Sequence, residues 1–172
     1  MRTRRKESGD PEPPEASWNE IVPGLWMGGH YWADGLGETR QAVVGSEFDL
    51  VVSLFTRPGH GPAPDVEHRL AEIPDGPLTA AQLREVQQLA EEVGRAVRAG
   101  RTTLVRCHSG YNRSGLVVAQ ALMGFGQEAA AAIATVRQRR SPWALNNRVF
   151  EEYLATGLDV AGLLAGLDGP PA

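Results

Sequence analysis

The sequence contains one cysteine, no long apolar run and no excess of basic residues, and each scarcity excludes a class of protein. Cys107 alone forms neither an internal disulfide nor a four-cysteine zinc site, so a reducing, cytoplasmic setting is the simpler expectation. No stretch approaches the roughly 18 consecutive apolar residues of a membrane span. The segment Met1 to Asp10 lacks the apolar core of a secretory signal. We therefore expect no membrane partner.

Charge of one sign is also scarce. The 17 basic and 21 acidic residues leave a net charge of −4, so no global basic surface predicts a nucleic-acid partner, and any anion site must be local. The length of 172 residues fits one domain. Hydrophobic residues at 42% and charged residues at 22% are near the averages for soluble globular chains, which excludes disorder of the body.

The two ends differ in composition from the body. Residues 1–17 have balanced charges, three prolines and almost nothing to bury, which predicts a disordered N-terminal tail. Residues 162–172 are mostly glycine, leucine, alanine and proline without a sustained period, which predicts a C-terminal tail. The folded domain is therefore expected to span residues 18–161.

Short β-branched segments alternate with segments of helical period in the body. A capping box, Thr79-x-x-Gln82, opens the first helix, which should end before Gly100, and Asn147 is a candidate N-cap for the last helix. The alternation predicts a single α/β domain with a central, mostly parallel sheet of four or five strands flanked by helices. The predicted strands are 21–27 (a pair broken at Pro23-Gly24), 49–55, 66–73 and 102–106, and the later helices are 114–125, 128–140 and 148–161.

The join from Arg106 to Gly115, RCHSGYNRSG, lies between a predicted strand and an apolar helix. A thiolate is a good nucleophile, but a free cysteine thiol has a pKa of about 8.5 and is mostly protonated at neutral pH. A helix N-terminus and loop amides favour the anionic form of Cys107. The same amides can converge on phosphoryl oxygens as a nest. The predicted phosphate-binding residues are His108, Ser109, Gly110, Tyr111, Asn112 and Arg113.

Three side chains of this join have separate predicted roles. Gly110 would allow the tight curvature of the loop. Arg113 presents a planar fork that grips two phosphate oxygens, and Ser114 could donate its hydroxyl to the sulfur. The alternative is that Cys107 is a small buried hydrophobe at a strand end, which leaves these three residues unexplained.

With these residues in place, the sequence resembles the cysteine-dependent protein tyrosine phosphatases, and by size their dual-specificity branch. Residues 21–28, IVPGLWMG, are similar to the opening strand pair of that branch, and Asn147-x-x-Phe150-x-x-x-Leu154 resembles its closing helix. The resemblance covers about residues 21–154. It implies that residues 18–161 are a phosphatase domain with Cys107 as nucleophile, Arg113 as phosphate-binding arginine and Ser114 as the hydroxyl that follows. The family usually has histidine immediately before the nucleophile, where this chain has Arg106.

The resemblance also implies an aspartic acid on a loop that protonates the leaving oxygen, since expelling an alkoxide unassisted is slow. Asp75 in the segment IPDGPL, residues 73–78, matches that acid. Pro-Asp-Gly-Pro is also a plain turn in which the aspartate needs no chemistry. Asp65 and Glu72 are alternative donors, with Glu72 ranked last because it would lie in a strand.

These features together predict a metal-independent phosphomonoester hydrolase that acts through a phosphocysteine and needs no cofactor. Its partner would be a phosphorylated protein or another phosphomonoester. The four histidines never occur at i, i+4 spacing, so a metal site is not expected. A catalytically weak phosphate-binding module is the main alternative, because of Arg106, and a sulfurtransferase is a lesser one. Residues 32–37 and 57–64 are the expected pocket walls.

Overall fold

The computed structural model describes residues 9–167, in which seven strands and five helices are found. In chain order they are β1 (Trp18–Val22), β2 (Leu25–Gly28), β3 (Tyr31–Ala33), β4 (Thr39–Gln41), β5 (Leu50–Ser53), β6 (Glu67–Leu70), α1 (Ala80–Arg98), β7 (Thr103–Arg106), α2 (Arg113–Gly124), α3 (Ala129–Arg139), α4 (Arg148–Thr156) and α5 (Leu158–Leu167).

Five strands form one sheet in the order β1-β2-β7-β5-β6. The pairs β2–β7, β7–β5 and β5–β6 are parallel, and the hairpin β1–β2 is antiparallel. The predicted α/β fold with a mostly parallel sheet is therefore confirmed. Strand β7 is central, so the chain that leaves its carboxyl end at Arg106 emerges between β2 and β5.

The remaining two strands form a separate hairpin that the sequence analysis did not predict. Strands β3 and β4 pair antiparallel, with Trp32 opposite Arg40. The Asp34 carboxylate accepts hydrogen bonds from the backbone N–H groups of Leu36 and Glu38, at 2.9 and 3.0 Å. A short aspartate-based turn of this kind closes the hairpin. Each of its strands has only 3 residues, too few to show a period, which explains why periodicity did not reveal it.

The helices begin and end largely where the sequence predicts. The Thr79 hydroxyl accepts from Gln82 N at 3.1 Å while the Gln82 side chain accepts from Thr79 N at 2.9 Å, so the capping box is formed. The last predicted helix is in fact two helices. Gly157, with φ of 97°, separates α4 from α5, and α5 continues to Leu167 through residues for which a tail was predicted. Residues 168–172 lie outside the described part.

Most buried side chains belong to one large cluster that includes the inner faces of all five helices. Strand β7 shows how the sheet divides the interior, because Val105 belongs to this cluster and the neighbouring Leu104 to a smaller one around Phe48. Successive strand residues point to opposite faces, so the two clusters lie on opposite sides of the sheet. Every residue of β7 is buried, which holds the start of the following loop in place.

The N-terminal segment contributes to the folded part of the molecule. Residues 1–8 of the predicted tail lie outside the described residues. In residues 9–17, Pro14 is buried and its carbonyl accepts from Ala33 N at 2.8 Å, while the Ser17 carbonyl accepts from Gly29 N at 3.1 Å. This backbone therefore runs alongside β3 and the end of β2. None of the helices between residues 9 and 167 has the length and apolar character needed to cross a membrane.

Candidate active site

The loop between β7 and α2, residues 107–112, is a tight turn whose amides are free to bind a ligand. Within residues 9–167, none of the N–H groups of residues 108–113 donates a hydrogen bond to another residue. Gly110 has φ of +76°, and a Cβ there would lie 2.5 Å from the Gly28 carbonyl. Glycine is therefore required both by conformation and by space. The unpaired N–H groups precede a helix N-terminus, which is the arrangement of an anion nest.

Cys107 lies at the base of this loop, where its side chain is 2% exposed. Its Sγ is 3.3 Å from the hydroxyl of Ser114, which is fully buried in the first turn of α2. A hydroxyl at this distance is able to donate a hydrogen bond to a thiolate. The sulfur also borders a cavity, so it differs from a cysteine that only fills a core.

Arg113 opens α2 and lines the same cavity. One Nη lies 3.4 Å from the Ile73 carbonyl, and the guanidinium lies over the Phe55 ring at 5.4 Å from its centroid. Its Nε is buried and has no hydrogen-bond partner within the described residues. A buried donor without a partner is costly unless a ligand satisfies it. The geometry therefore leaves this guanidinium available to an anion.

Asp75 reaches the cavity from the loop that precedes α1. Its two carboxylate oxygens accept from the side-chain amides of Asn112, at 3.1 Å, and Asn147, at 2.8 Å. The structure thus places Asp75 beside the loop. The alternative donors do not line this cavity: Asp65 accepts from Ser46, and Glu72 lies beyond the end of β6, where Thr56 donates to it at 3.4 Å.

The cavity has a volume of about 290 Å³, and its walls differ from those predicted. Neither residues 32–37 nor 57–64 line it. Tyr31 is part of the wall, with its hydroxyl 3.0 Å from the Ser109 Oγ. Pro11 and Glu12 also line the cavity, and the Glu12 carbonyl accepts from the Tyr111 hydroxyl at 2.5 Å. Among residues 9–167, the lining consists of Pro11, Glu12, Tyr31, Asp75, Cys107, Ser109, Tyr111, Asn112, Arg113 and Asn146.

Two of the predicted phosphate-binding residues, His108 and Gly110, do not line the cavity. The His108 ring packs against the rings of Tyr31 and Phe55, with centroids 5.0 and 5.1 Å apart. Burial, with the charges of Arg57 and Arg113, lowers the pKa of His108 and favours its neutral form. Gly110 has no side chain to contribute. Both residues can reach a ligand only through their backbone N–H groups. No three His, Cys, Asp or Glu side chains cluster as a metal site within the described ranges.

Arg140 supports the loop from behind, a role that the sequence analysis missed. Its guanidinium donates to the carbonyls of Ser109 and Gly110 at 3.0 and 3.1 Å, and to the Ala16 carbonyl and Asn19 Oδ1 at 2.8 Å each. Burial lowers the pKa of Arg140 to about 10, so it remains charged at neutral pH. These donors turn the loop carbonyls outward, which directs the N–H groups toward the cavity.

Arg106, the residue before Cys107, is fully buried and points away from the loop. Its guanidinium donates to Ser53 Oγ at 2.9 Å and to the carbonyls of His60 and Gly61 at 2.8 and 2.6 Å. Burial lowers the pKa of Arg106 to about 10. These contacts tie β7 to the 60–61 loop, so Arg106 is part of the support of the site and does not line the cavity.

Comparison with known proteins gives matches to solved structures only. Neither a protein-family model nor a curated protein matches the sequence. The structure of human DUSP28 matches at 26% identity and a TM-score of 0.61, covering 84% of this chain and 99% of that one. OH1 from the Orf virus, a tyrosine phosphatase, matches at 15% identity and 0.61, over 87% and 90%. A human tyrosine phosphatase-like serine/threonine/tyrosine-interacting protein matches at 18% and 0.52, over 79% and 94%.

The last two similarities concern the fold alone, because their identities are low. Together with DUSP28 they confirm the predicted resemblance to the dual-specificity and tyrosine phosphatases. The position of Cys107 directly after β7 is consistent with the phosphate-binding loop of that fold.

Proposed function

We propose that this protein is a phosphomonoester hydrolase of the tyrosine or dual-specificity phosphatase type, with Cys107 as nucleophile. One observation carries the proposal: the Cys107 sulfur, 3.3 Å from a buried hydroxyl, borders a cavity that Arg113 and Asp75 also line. A nucleophile, a cation and a proton donor for phosphoryl transfer are thus gathered around one space.

In the first half-reaction, the Cys107 thiolate attacks phosphorus in line with the leaving oxygen. The S–P bond forms as the P–O bond breaks, and Asp75 gives its proton to the leaving oxygen. The N–H groups of residues 108–113 and the Arg113 guanidinium bind the other phosphoryl oxygens. Arg140 already holds the carbonyls of Ser109 and Gly110, so the N–H groups of these two peptides need little reorganisation in the transition state.

In the second half-reaction, water attacks the phosphocysteine. The Asp75 carboxylate accepts a proton from the water, the P–S bond breaks, and its electron pair returns to sulfur. The Ser114 hydroxyl stabilises the departing thiolate. Inorganic phosphate is released and no cofactor is consumed, so the reaction is proposed to be independent of metal.

The cavity walls support a phosphorylated protein as the substrate. Tyr31 offers an aromatic face beside the loop, which suits the ring of a phosphotyrosine. Among the lining residues within the described part of the chain, Arg113 is the one basic side chain. A polyphosphorylated headgroup would need several cations, so a single phosphoryl group is the better match.

The test is hydrolysis of p-nitrophenyl phosphate and of phosphotyrosine and phosphothreonine peptides, with a chelator present and vanadate as inhibitor. The wild-type protein should turn over and Cys107→Ser, purified in parallel, should not. Arg113→Lys keeps the charge but loses the planar fork, so it should raise KM and lower kcat. Undiminished turnover by Cys107→Ser would refute the nucleophile.

Peptide binding and sulfur transfer, measured beside hydrolysis, separate the two alternatives. A phosphate-binding module would bind phosphotyrosine peptide in an Arg113-dependent manner and show no turnover. A sulfurtransferase would transfer sulfane sulfur from thiosulfate to cyanide and leave phosphate esters intact. Either result would replace the proposed hydrolase.

A further inference from the structure

His30 makes a direct contact with the nucleophile's own peptide group. Its Nδ1 lies 2.7 Å from the Cys107 carbonyl, and its backbone N–H donates to the His108 carbonyl at 2.8 Å. His30 lies two residues beyond the end of β2. At the intervening Gly29, a Cβ would lie 2.5 Å from the His108 carbonyl oxygen. The end of β2 and the start of the loop are therefore in close contact, and His30 holds two successive carbonyls of that loop.

The protonation of His30 follows from this contact. A carbonyl oxygen only accepts hydrogen bonds, so Nδ1 must carry a proton. Burial is the main reason that the pKa of His30 is lowered to about 4, and the positive charge of Arg106 contributes to the same shift, so the ring is neutral at pH 7. Its Nε2 is buried and has no partner within residues 9–167. The imidazole is thus a neutral, single-tautomer donor.

The groups around His30 leave this donor role undisturbed. The Phe55 ring meets the imidazole edge-on at 5.2 Å between centroids, and the His60 ring lies at 5.3 Å. The charge of Arg106 and the rings of His60 and His108 all favour the neutral form of His30. The imidazole is 1% exposed, so water does not compete for the Cys107 carbonyl.

We infer that His30 is a positioning residue for Cys107. A donor at the carbonyl of the 107–108 peptide polarises that peptide and makes the His108 N–H a stronger donor toward a thiolate or a phosphoryl oxygen. The same bond prevents rotation of the peptide that carries the sulfur. The Arg106 guanidinium donates to Ser53 and to the 60–61 loop and does not reach the Cys107 carbonyl. The donor to that carbonyl is His30, 77 positions earlier in the chain.

The inference rests on the proposed function in one respect, the catalytic use of the Cys107 thiolate. Its test measures the reactivity of the Cys107 thiol and needs no hydrolysis of a phosphate ester. Cys107 is the only cysteine of the chain, so alkylation by iodoacetamide reports this thiol alone. The rate is measured against pH for the wild type, His30→Asn and His30→Gln. The Asn amide can donate from about the place of Nδ1, whereas the Gln amide corresponds to Nε2.

The wild type and His30→Asn should reach half-maximal alkylation at about the same pH. In His30→Gln the midpoint should rise by about half to one pH unit, which corresponds to the loss of one hydrogen bond's contribution. Steady-state kinetics should again separate His30→Gln from the wild type and His30→Asn. In His30→Gln, kcat for p-nitrophenyl phosphate should be about threefold to tenfold lower and KM nearly unchanged.

His60→Phe is the matched control, because it replaces a neighbouring buried imidazole whose ring is not bonded to the Cys107 carbonyl. Its alkylation midpoint should equal that of the wild type. Equal midpoints for His30→Gln and wild type, or an equal shift in His60→Phe, would overturn the assignment. Should the wild type alkylate but fail to hydrolyse phosphate esters, the proposed function fails while the alkylation profile still decides the role of His30.

Discussion

The side-chain amide of Asn147 donates to the carboxylate of Asp75 over 2.8 Å, and the same side chain accepts from Val149 N at 3.0 Å. One asparagine therefore caps α4 and holds the candidate proton donor beside the cavity. A second amide, from Asn112, holds the other carboxylate oxygen. The position of Asp75 thus depends on the start of α4 and on the loop 107–112.

Asp75→Asn removes the proton donor and keeps the shape of the side chain. Hydrolysis of phosphotyrosine peptide should fall by about 10²–10⁴ in kcat, the usual contribution of a general acid. An aryl phosphate with a more acidic phenol needs less protonation, so its loss should be smaller. Steady-state kinetics over a series of leaving groups measures this. Equal losses across the series would mean that Asp75 does not protonate the leaving group.

Asn147→Ser tests whether holding Asp75 matters apart from capping the helix. Serine is a good N-cap, so the free energy of unfolding should change by less than about 0.5 kcal/mol. The amide donor to Asp75 is lost while the Asn112 donor remains, and kcat should fall about threefold to tenfold, which corresponds to an ordinary hydrogen bond of about 1 kcal/mol. Urea unfolding and kinetics measure the two effects separately. A fall in stability with no change in kcat would limit Asn147 to capping.

The sequence predicts the parts of this site that are local in the chain. The loop 107–113 and the capping box at Thr79 are read from adjacent residues, since their chemistry depends on spacing along the backbone. The support of the site is not local. Asn147 and Asp75 are 72 residues apart, and His30 and Cys107 are 77 apart. Such contacts depend on how strands and helices pack, so no spacing rule identifies them in a single sequence.

The N-terminal segment shows that composition, too, does not reveal tertiary contacts. Its prolines and balanced charges are typical of disorder, yet the Glu12 carbonyl accepts from Tyr111 and the Ala16 carbonyl from Arg140. The partners are side chains of the loop and of the residue after α3. Backbone carbonyls of any sequence can accept these bonds, so composition does not reveal them.

Ser114→Ala removes the hydroxyl beside the sulfur. A hydrogen bond to a charged group is worth about 1.5–3 kcal/mol, so the breakdown of the phosphocysteine should slow by about 10- to 150-fold. Formation of the intermediate should change less, because the thiolate there is the attacking group. With p-nitrophenyl phosphate as substrate, stopped-flow measurement of Ser114→Ala should show a burst of p-nitrophenol equal to the enzyme concentration. A linear trace with unchanged turnover would remove Ser114 from the mechanism.

Gly110→Ala should disrupt the loop 107–112, and Gly100→Ala is its matched control. Both glycines have φ near +77°, but a Cβ at Gly100 meets nothing within 4 Å, whereas at Gly110 it would meet backbone at 2.5 Å. Gly100→Ala should cost about 1–2 kcal/mol of unfolding free energy and leave vanadate binding intact. Gly110→Ala should cost more and abolish vanadate binding. Calorimetry measures both quantities, and equal behaviour of the two variants would contradict the crowding of this loop.

The lowered pKa of His30 predicts how stability depends on pH. The pKa is about 4 in the folded protein and 6.5 in the unfolded chain, so between these values the unfolded state binds a proton that the folded state does not. The contribution of His30 is therefore absent above about pH 6.5 and destabilises the fold progressively as pH falls toward 4. At pH 5 it should amount to about 1–2 kcal/mol.

His30→Asn removes this titration, and the comparison with the wild type isolates it from the protonation events that the two proteins share. Relative to the wild type, the variant should gain about 1–2 kcal/mol of unfolding free energy between pH 7.5 and pH 5, whatever its absolute stability at pH 7.5. Urea unfolding at the two pH values measures the difference. A difference that stays constant would mean that His30 titrates alike in both states, and hence that its imidazole is not the buried neutral donor to the Cys107 carbonyl.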